Sequence, residues 1–191
     1  MQGETADRIL QTAHTLITDR GYSAFSYADI SEAVHISKAS IHHHFPTKTA
    51  LVVAVLERHR HRMQEGHAGL DKHVSSPLDR LKKYVDHWEV CIRSMTEPFC
   101  IAALLGAELP SLPEEVQAEV GKHFVCLRQW IAKTLKDGVK QRRIKLRGTA
   151  DVEAEMLMAA VHGAMISARV NSSHTIFRQV TANAIQRLLA E

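Results

Sequence analysis

Apolar residues recur at intervals of three and four along almost the whole chain, and no stretch shows the period of two expected of a half-buried strand. In a first helix, expected over about 4–20, Ile9, Ala13, Leu16 and Ile17 share one face, and Gly21 stops it. Ser26-Tyr27-Ala28-Asp29 sets an N-cap serine three residues before an acid, a relative of the capping box, and opens a short helix ending near Val34. His35 then falls where a tight turn needs a positive φ, which histidine tolerates better than most residues other than glycine. Ser37 caps the next helix, which runs through Phe45 to a stop at Pro46, and Thr47 caps a longer one over 48–64.

Five further helical stretches follow. Ser76-Pro77 pairs a cap with an N1 proline and opens 77–95. Pro98 opens 98–108, and Pro113-Glu114-Glu115 opens 113–142 with acids at its positive end. Thr149 caps 150–170, and Ser173 caps 174–190. Gly66, Gly69 and Ser75-Ser76 mark 65–76 as a connection or a frayed end. The predicted class is all-α: a three-helix helix-turn-helix head over 1–48 and a helical-bundle body over 49–191, the body whose ligand-binding and dimerisation candidates are given below with the residues that suggest them.

Composition changes this picture little. With 45% hydrophobic residues, a chain of 191 can bury a sizeable core without staples. A net charge of +3 is too small to announce nucleic acid. Residues 1–65 balance seven Lys/Arg against seven acids, so a basic footprint there must come from placement. Three widely spaced cysteines argue against a disulfide framework and for a reducing compartment. No apolar run approaches a membrane span and the first ten residues are polar, so a cytoplasmic protein with no membrane partner is expected.

Two short helices joined by a tight turn, locked by Ile30, Val34, Ile36, Ile41 and Phe45, leave the outer face of Ser37–Phe45 for a DNA major groove. That face offers Lys38, Ser40, His42, His43 and His44, all donors with no acid among them. If these histidines touch phosphate, DNA affinity rises as pH falls through the range in which imidazole gains its proton. They cannot converge on a metal ion, because consecutive helical residues point about 100° apart.

The run Val34-His35-Ile36-Ser37-Lys38-Ala39-Ser40-Ile41-His42-His43-His44-Phe45-Pro46-Thr47-Lys48-Thr49-Ala50-Leu51 resembles the TetR-family head, and the resemblance covers about residues 4–56. It implies phosphate contacts from Ser40, His42 and Lys48, base contacts nearest Lys38, Ala39 and His43, and a DNA-binding set that also takes in Ser26, Tyr27, Ser37 and His44. His35 replaces the usual turn glycine and His42 the usual tyrosine. It further implies a dimer on double-stranded operator DNA, released when an effector shifts the helix over 48–64.

In the body, Tyr84, Trp88, Cys91, Met95, Phe99, Cys100, Phe124, Met158, His162 and Met165 are candidates to line an effector cavity, although a filled core explains them as well. Ala160, Gly163, Ala164 and Ser167 put small residues along one helix face, and Val180, Ile185 and Leu188 give the last helix an apolar stripe, a pattern suited to a four-helix dimer interface. The segment Cys100–Glu108 resembles the subgroup that includes the repressor of N-ethylmaleimide reductase, which implies electrophile or oxidant sensing at Cys100. Pro98 places Cys100 in a helical first turn, where the dipole favours thiolate. His87 with Cys91 and His123 with Cys126, each sharing a helix face, raise metal sensing as an alternative. Glu115, Glu119 and His123 form a stripe that reads as solvated, and no phosphate loop or nucleophile motif is present. A non-enzymatic regulator without a cofactor, with an adaptor as rival, is the expectation.

Overall fold

The computed structural model describes residues 2–95 and 99–189 and is all-helical. The elements are α1 (Gln2–Arg20), α2 (Tyr27–Val34), α3 (Lys38–His44), α4 (Lys48–His73), α5 (Pro77–Ser94), α6 (Ile101–Ala107), α7 (Glu114–Lys140), α8 (Ala150–Val170) and α9 (His174–Gln186), with a 3-10 turn over Leu109–Ser111. Among the described residues no strand forms beyond one antiparallel bridge, Ile144 to Leu189, and no helix is long and apolar enough to cross a membrane.

The helices fall into two compact units: residues 2–62 with 100–123, and residues 63–95 and 99 with 124–189. In the first, the α1 stripe Ile9, Ala13 and Ile17 is fully buried with Phe25, Ile30, Val34, Ile41, Leu51 and Val55. Arg8 ties α1 to the end of α2 by donating Nη2 to the Val34 carbonyl at 2.7 Å. In the second, α8 packs along α9 and α9 along α5. Leu81, Trp88, Leu157, Val161, Phe177 and Ile185 supply that core.

Helix ends follow the caps where the caps are local. Ser26 and Asp29 form a complete capping box, Ser37 accepts from the Ser40 N–H at 3.1 Å, and Thr149 accepts from the Val152 N–H. His35 takes φ 57°, ψ 49°, as the turn demands. Four expectations shift. α4 does not end near residue 64 but continues through Gly66 and Gly69 to His73. Each glycine costs a helix about 1 kcal/mol, but contacts in the same unit hold the extension. His67 stacks on Trp130 at 3.8 Å, and Asp71 accepts from Arg80, Trp130 and Lys133. α9 stops at Gln186, not 190, and Ser173 makes no side-chain cap bond. Cys100 is the N-cap of α6 and not a first-turn residue, while Pro98 lies outside the described residues. Glu119 and His123 are also buried rather than solvated; Glu119 is held by ion pairs to Arg60 at 3.3 Å and to Lys122.

Candidate nucleic-acid interface and sensing region

α3 is positioned from both ends. Ile41 is its buried anchor, and the half-buried Tyr27 donates its hydroxyl to the Phe45 carbonyl at 2.7 Å. Burial pushes the Tyr27 pKa up to about 12, so this group remains a donor across the working range. Its ring lies 4.7 Å from that of His42, whose Nδ1 is 3.1 Å from the Pro46 carbonyl. With these constraints Ser37, Lys38, Ala39, His42 and His43 are exposed, Ser40 and His44 half-buried, and Ser26 exposed at the start of α2. Lys38, Ala39, His42 and His43 stand at i, i+1, i+4 and i+5 and so share a face.

Lys48 is placed differently from a freely projecting phosphate ligand. Its ammonium donates to the Phe25 carbonyl at 2.5 Å and lies over the rings of Tyr22 and Phe25, 4.8 and 4.2 Å from their centroids. Burial lowers its pKa, opposed by the charges of Asp29 and Glu108. The turn after α1 is gripped from a second side, where Glu108 Oε2 accepts from the Tyr22 N–H at 3.0 Å. Gly21 has φ +79°, and a Cβ there would stand 2.2 Å from Glu108 Oε1. No local sequence signal marks this pairing, since the two residues are 86 positions apart.

Of the candidate effector residues, Tyr84, Trp88, Cys91, Phe99, Met158 and Met165 are buried in the second unit, and Phe124 and His162 are half-buried there. The Phe124 and His162 rings meet edge to face at 5.4 Å, and burial drives the His162 pKa down to about 4. Met95 is not part of this interior. It ends α5 in the left-handed region at φ 57° and is 70% exposed. Cys100 belongs to the first unit and is buried, with its Sγ 3.9 Å from the Nε2 of His59 and of His123. His87 and Cys91 do face each other, Nε2 to Sγ 3.7 Å, but no third ligand joins them among the described residues. His123 stands instead with His59 and Cys100, a trio that sequence spacing did not single out.

On α8 and α9, Gly163 and Val180 are exposed and Ala160 and Ser167 half-buried. Ala164, Ile185 and Leu188 are buried within the chain's own body, which removes them from any outer face. The exposed apolar positions of α8 are Val152, Met156, Ile166 and Val170.

Comparison with known proteins decides the family. The model of bacterial regulatory proteins of the TetR family matches residues 9–55, and a tetracyclin repressor-like C-terminal domain model matches 77–184. The chain belongs to the TetR family. A TetR-family transcriptional regulator from Agrobacterium tumefaciens, known as a crystal structure, is 46% identical, with a TM-score of 0.97 and full coverage of both chains. The HTH-type transcriptional repressor NemR of Escherichia coli is 22% identical across 89% of this chain and 86% of its own. The repressor DhaR of a Mycobacterium species is 23% identical across 95% and 90%. This TetR-family chain is thus a DNA-binding transcriptional regulator, with a regulatory and not a catalytic role.

Proposed function

We propose that this TetR-family regulator is a homodimeric repressor that leaves its operator when the body takes up an effector, a small molecule or a reactive electrophile. The observation that carries the reading is the acid-free exposed face of α3, capped and braced so that Lys38, Ala39, His42 and His43 present donors in a fixed frame. In this reading residues 1–48 supply the operator contacts and 49–191 the effector and partner contacts. Lys38 and His43 reach base edges beside Ala39, and Ser26, Ser37, Ser40, His42 and His44 meet phosphate or flank it. Tyr27 and Lys48 act chiefly by bracing the head, and Lys48 reaches a phosphate only by giving up the Phe25 carbonyl.

Two half-sites need two heads, and a second copy of this chain supplies the other. The face of α8 carrying Val152, Met156, Gly163, Ile166 and Val170, with Val180 of α9, suits it, because large apolar side chains are exposed there around a glycine with open space at its Cβ. The effector is received by the interior of the second unit around Tyr84, Trp88, Cys91, Phe99, Phe124, Met158, His162 and Met165, or attacks Cys100 when it is an electrophile. The names of NemR and DhaR, both repressors, support repression.

Selection of genomic fragments by the purified protein tests this. A bound promoter fragment with two-fold symmetric protection, lost in Lys38→Ala/His43→Ala, is the expected result. Failure to retain any fragment at low salt, or a monomer at working concentration, refutes it.

A further inference from the structure

Three side chains with metal-ligating atoms converge in the first unit: His59 from α4, Cys100 at the N-cap of α6 and His123 from α7. The Cys100 Sγ lies 3.9 Å from each Nε2, and the ligand atoms all fall within 4.8 Å of one another. The two rings stack at 5.1 Å and 26°, and the Sγ distances place the Nε2 edge of each beside the sulfur. A tetrahedral zinc with a Zn–S distance of about 2.3 Å and Zn–N of about 2.0–2.1 Å needs its donors roughly 3.3–3.6 Å apart. Closing the present distances takes side-chain shifts of a few tenths of an ångström up to about 1.5 Å.

We infer that His59, Cys100 and His123 bind a thiophilic divalent cation of the zinc class, with an open fourth position. Donor chemistry sets the class, because a thiolate and two imidazoles suit zinc or copper, while calcium and magnesium want oxygen. The nearest carboxylate on the same helix, Glu119, is held by Arg60 and Lys122 and is not offered to the ion. Cys100 is 1% and His123 2% exposed, and the half-exposed His59 is the way in. Binding exchanges the thiol proton for the metal: the S–H bond breaks, the S–metal bond forms, and one proton leaves to solvent. The site lies within the first unit and does not depend on the repressor reading. It bears on DNA all the same. The ion would draw α4 toward α6 and α7, and α4 begins at Lys48, about 16 Å along the same helix from His59.

The test uses untagged, fully reduced, full-length protein titrated with Co²⁺ and then Zn²⁺, in the presence of a chromophoric chelator. The expected result is one ion per chain, with an intense thiolate-to-cobalt charge-transfer band and strong ligand-field bands marking four-coordination. Cys100→Ser, a near-isosteric change, abolishes the charge-transfer band. His59→Gln and His123→Gln each weaken Zn²⁺ by more than the roughly 10–100-fold typical of losing an outer-shell partner. Cys126→Ser leaves both readouts unchanged. Bound Zn²⁺ also slows maleimide labelling of Cys100 in the wild type. Absence of stoichiometric Co²⁺ binding, a charge-transfer band that survives Cys100→Ser, or labelling indifferent to Zn²⁺ overturns the site, whatever the operator assays show.

Discussion

Replacing Gly21 by alanine strains the join between α1 and α6 in two ways at once. At φ +79° an alanine pays about 1–2 kcal/mol for the left-handed region, offset by about 0.4–1 kcal/mol from a stiffer unfolded chain. Its Cβ would also sit 2.2 Å from Glu108 Oε1, so the carboxylate must swing away and release the Tyr22 N–H it now accepts at 3.0 Å. A hydrogen bond to a charged acceptor is worth about 1.5–3 kcal/mol. The sum is about 2–4 kcal/mol, a fall of order 10 °C in Tm for a chain of this size. Urea unfolding at fixed protein concentration measures it, and a double-mutant cycle isolates the cause. In a Glu108→Ala background nothing remains to displace, so Gly21→Ala should cost only about 1 kcal/mol there. Additive costs, within about 0.5 kcal/mol, would falsify the assigned contact.

The remaining predictions concern the head and the buried histidines. His35→Gly relieves the left-handed strain at φ 57° and should leave stability unchanged or raise it by up to about 1 kcal/mol, read from the urea midpoint; a loss above that range contradicts the turn geometry. Tyr27→Phe removes the donor to the Phe45 carbonyl and should cost about 1 kcal/mol of stability, with weaker operator binding; unchanged values would mean the bond contributes nothing. Lys38→Ala and His43→Ala should each weaken operator binding by about 1–3 kcal/mol at fixed salt while leaving the urea midpoint in place, and equal losses on random DNA would assign them to phosphate instead. His67 and His162 are held to pKa values of about 4 by burial, below the ordinary 6.5, so the unfolded chain binds more protons than the folded one as pH falls. Their neutral burial is therefore fully tolerated above pH 6.5 and costs increasingly toward pH 4. Each should remove about 2 kcal/mol between pH 7 and pH 5, and His162→Leu should flatten that part of the slope; an unaltered slope rejects the assignment.

What the sequence disclosed and what it hid divide by range. The α2–turn–α3 head was legible because each boundary rests on a neighbour within three residues: Ser26 with Asp29, Ser37 with Ser40, His35 in its own turn. The extension of α4 past Gly66 and Gly69 was not, since the stacking of His67 on Trp130 that holds it spans 63 positions. The seat of the Lys48 ammonium on the Phe25 carbonyl and the Tyr22 and Phe25 rings was not either, because those groups reach it only through the fold. The small residues of α8 were visible as a class, but periodicity could not say that Ala164 faces inward while Gly163 faces out. The pairing of cysteine with histidine was sought along single helices, whereas Cys100 meets partners 41 and 23 positions away.

The long-range contacts of Cys100 and Glu108 share one element. α6 has Cys100 at its N-cap and Glu108 at its C-cap, and between them Ile101, Ala102 and Leu105 are fully buried. A close-packed segment of seven residues moves as a body rather than bending. A shift at Cys100 therefore reappears at Glu108, and Glu108 holds the Tyr22 N–H in the turn that Lys48 grips from α4. That turn leads directly into the capping box of α2 and so into the frame of α3. An occupant at Cys100 changes operator affinity only to the extent that it binds the two placements of α6 unequally. Glu108→Gln tests the relay without emptying the thiol site. It keeps an acceptor for Tyr22 but drops the charge, so it should weaken the coupling between Cys100 modification and DNA release while leaving the labelling rate of Cys100 intact. Full coupling in that variant would place the path elsewhere.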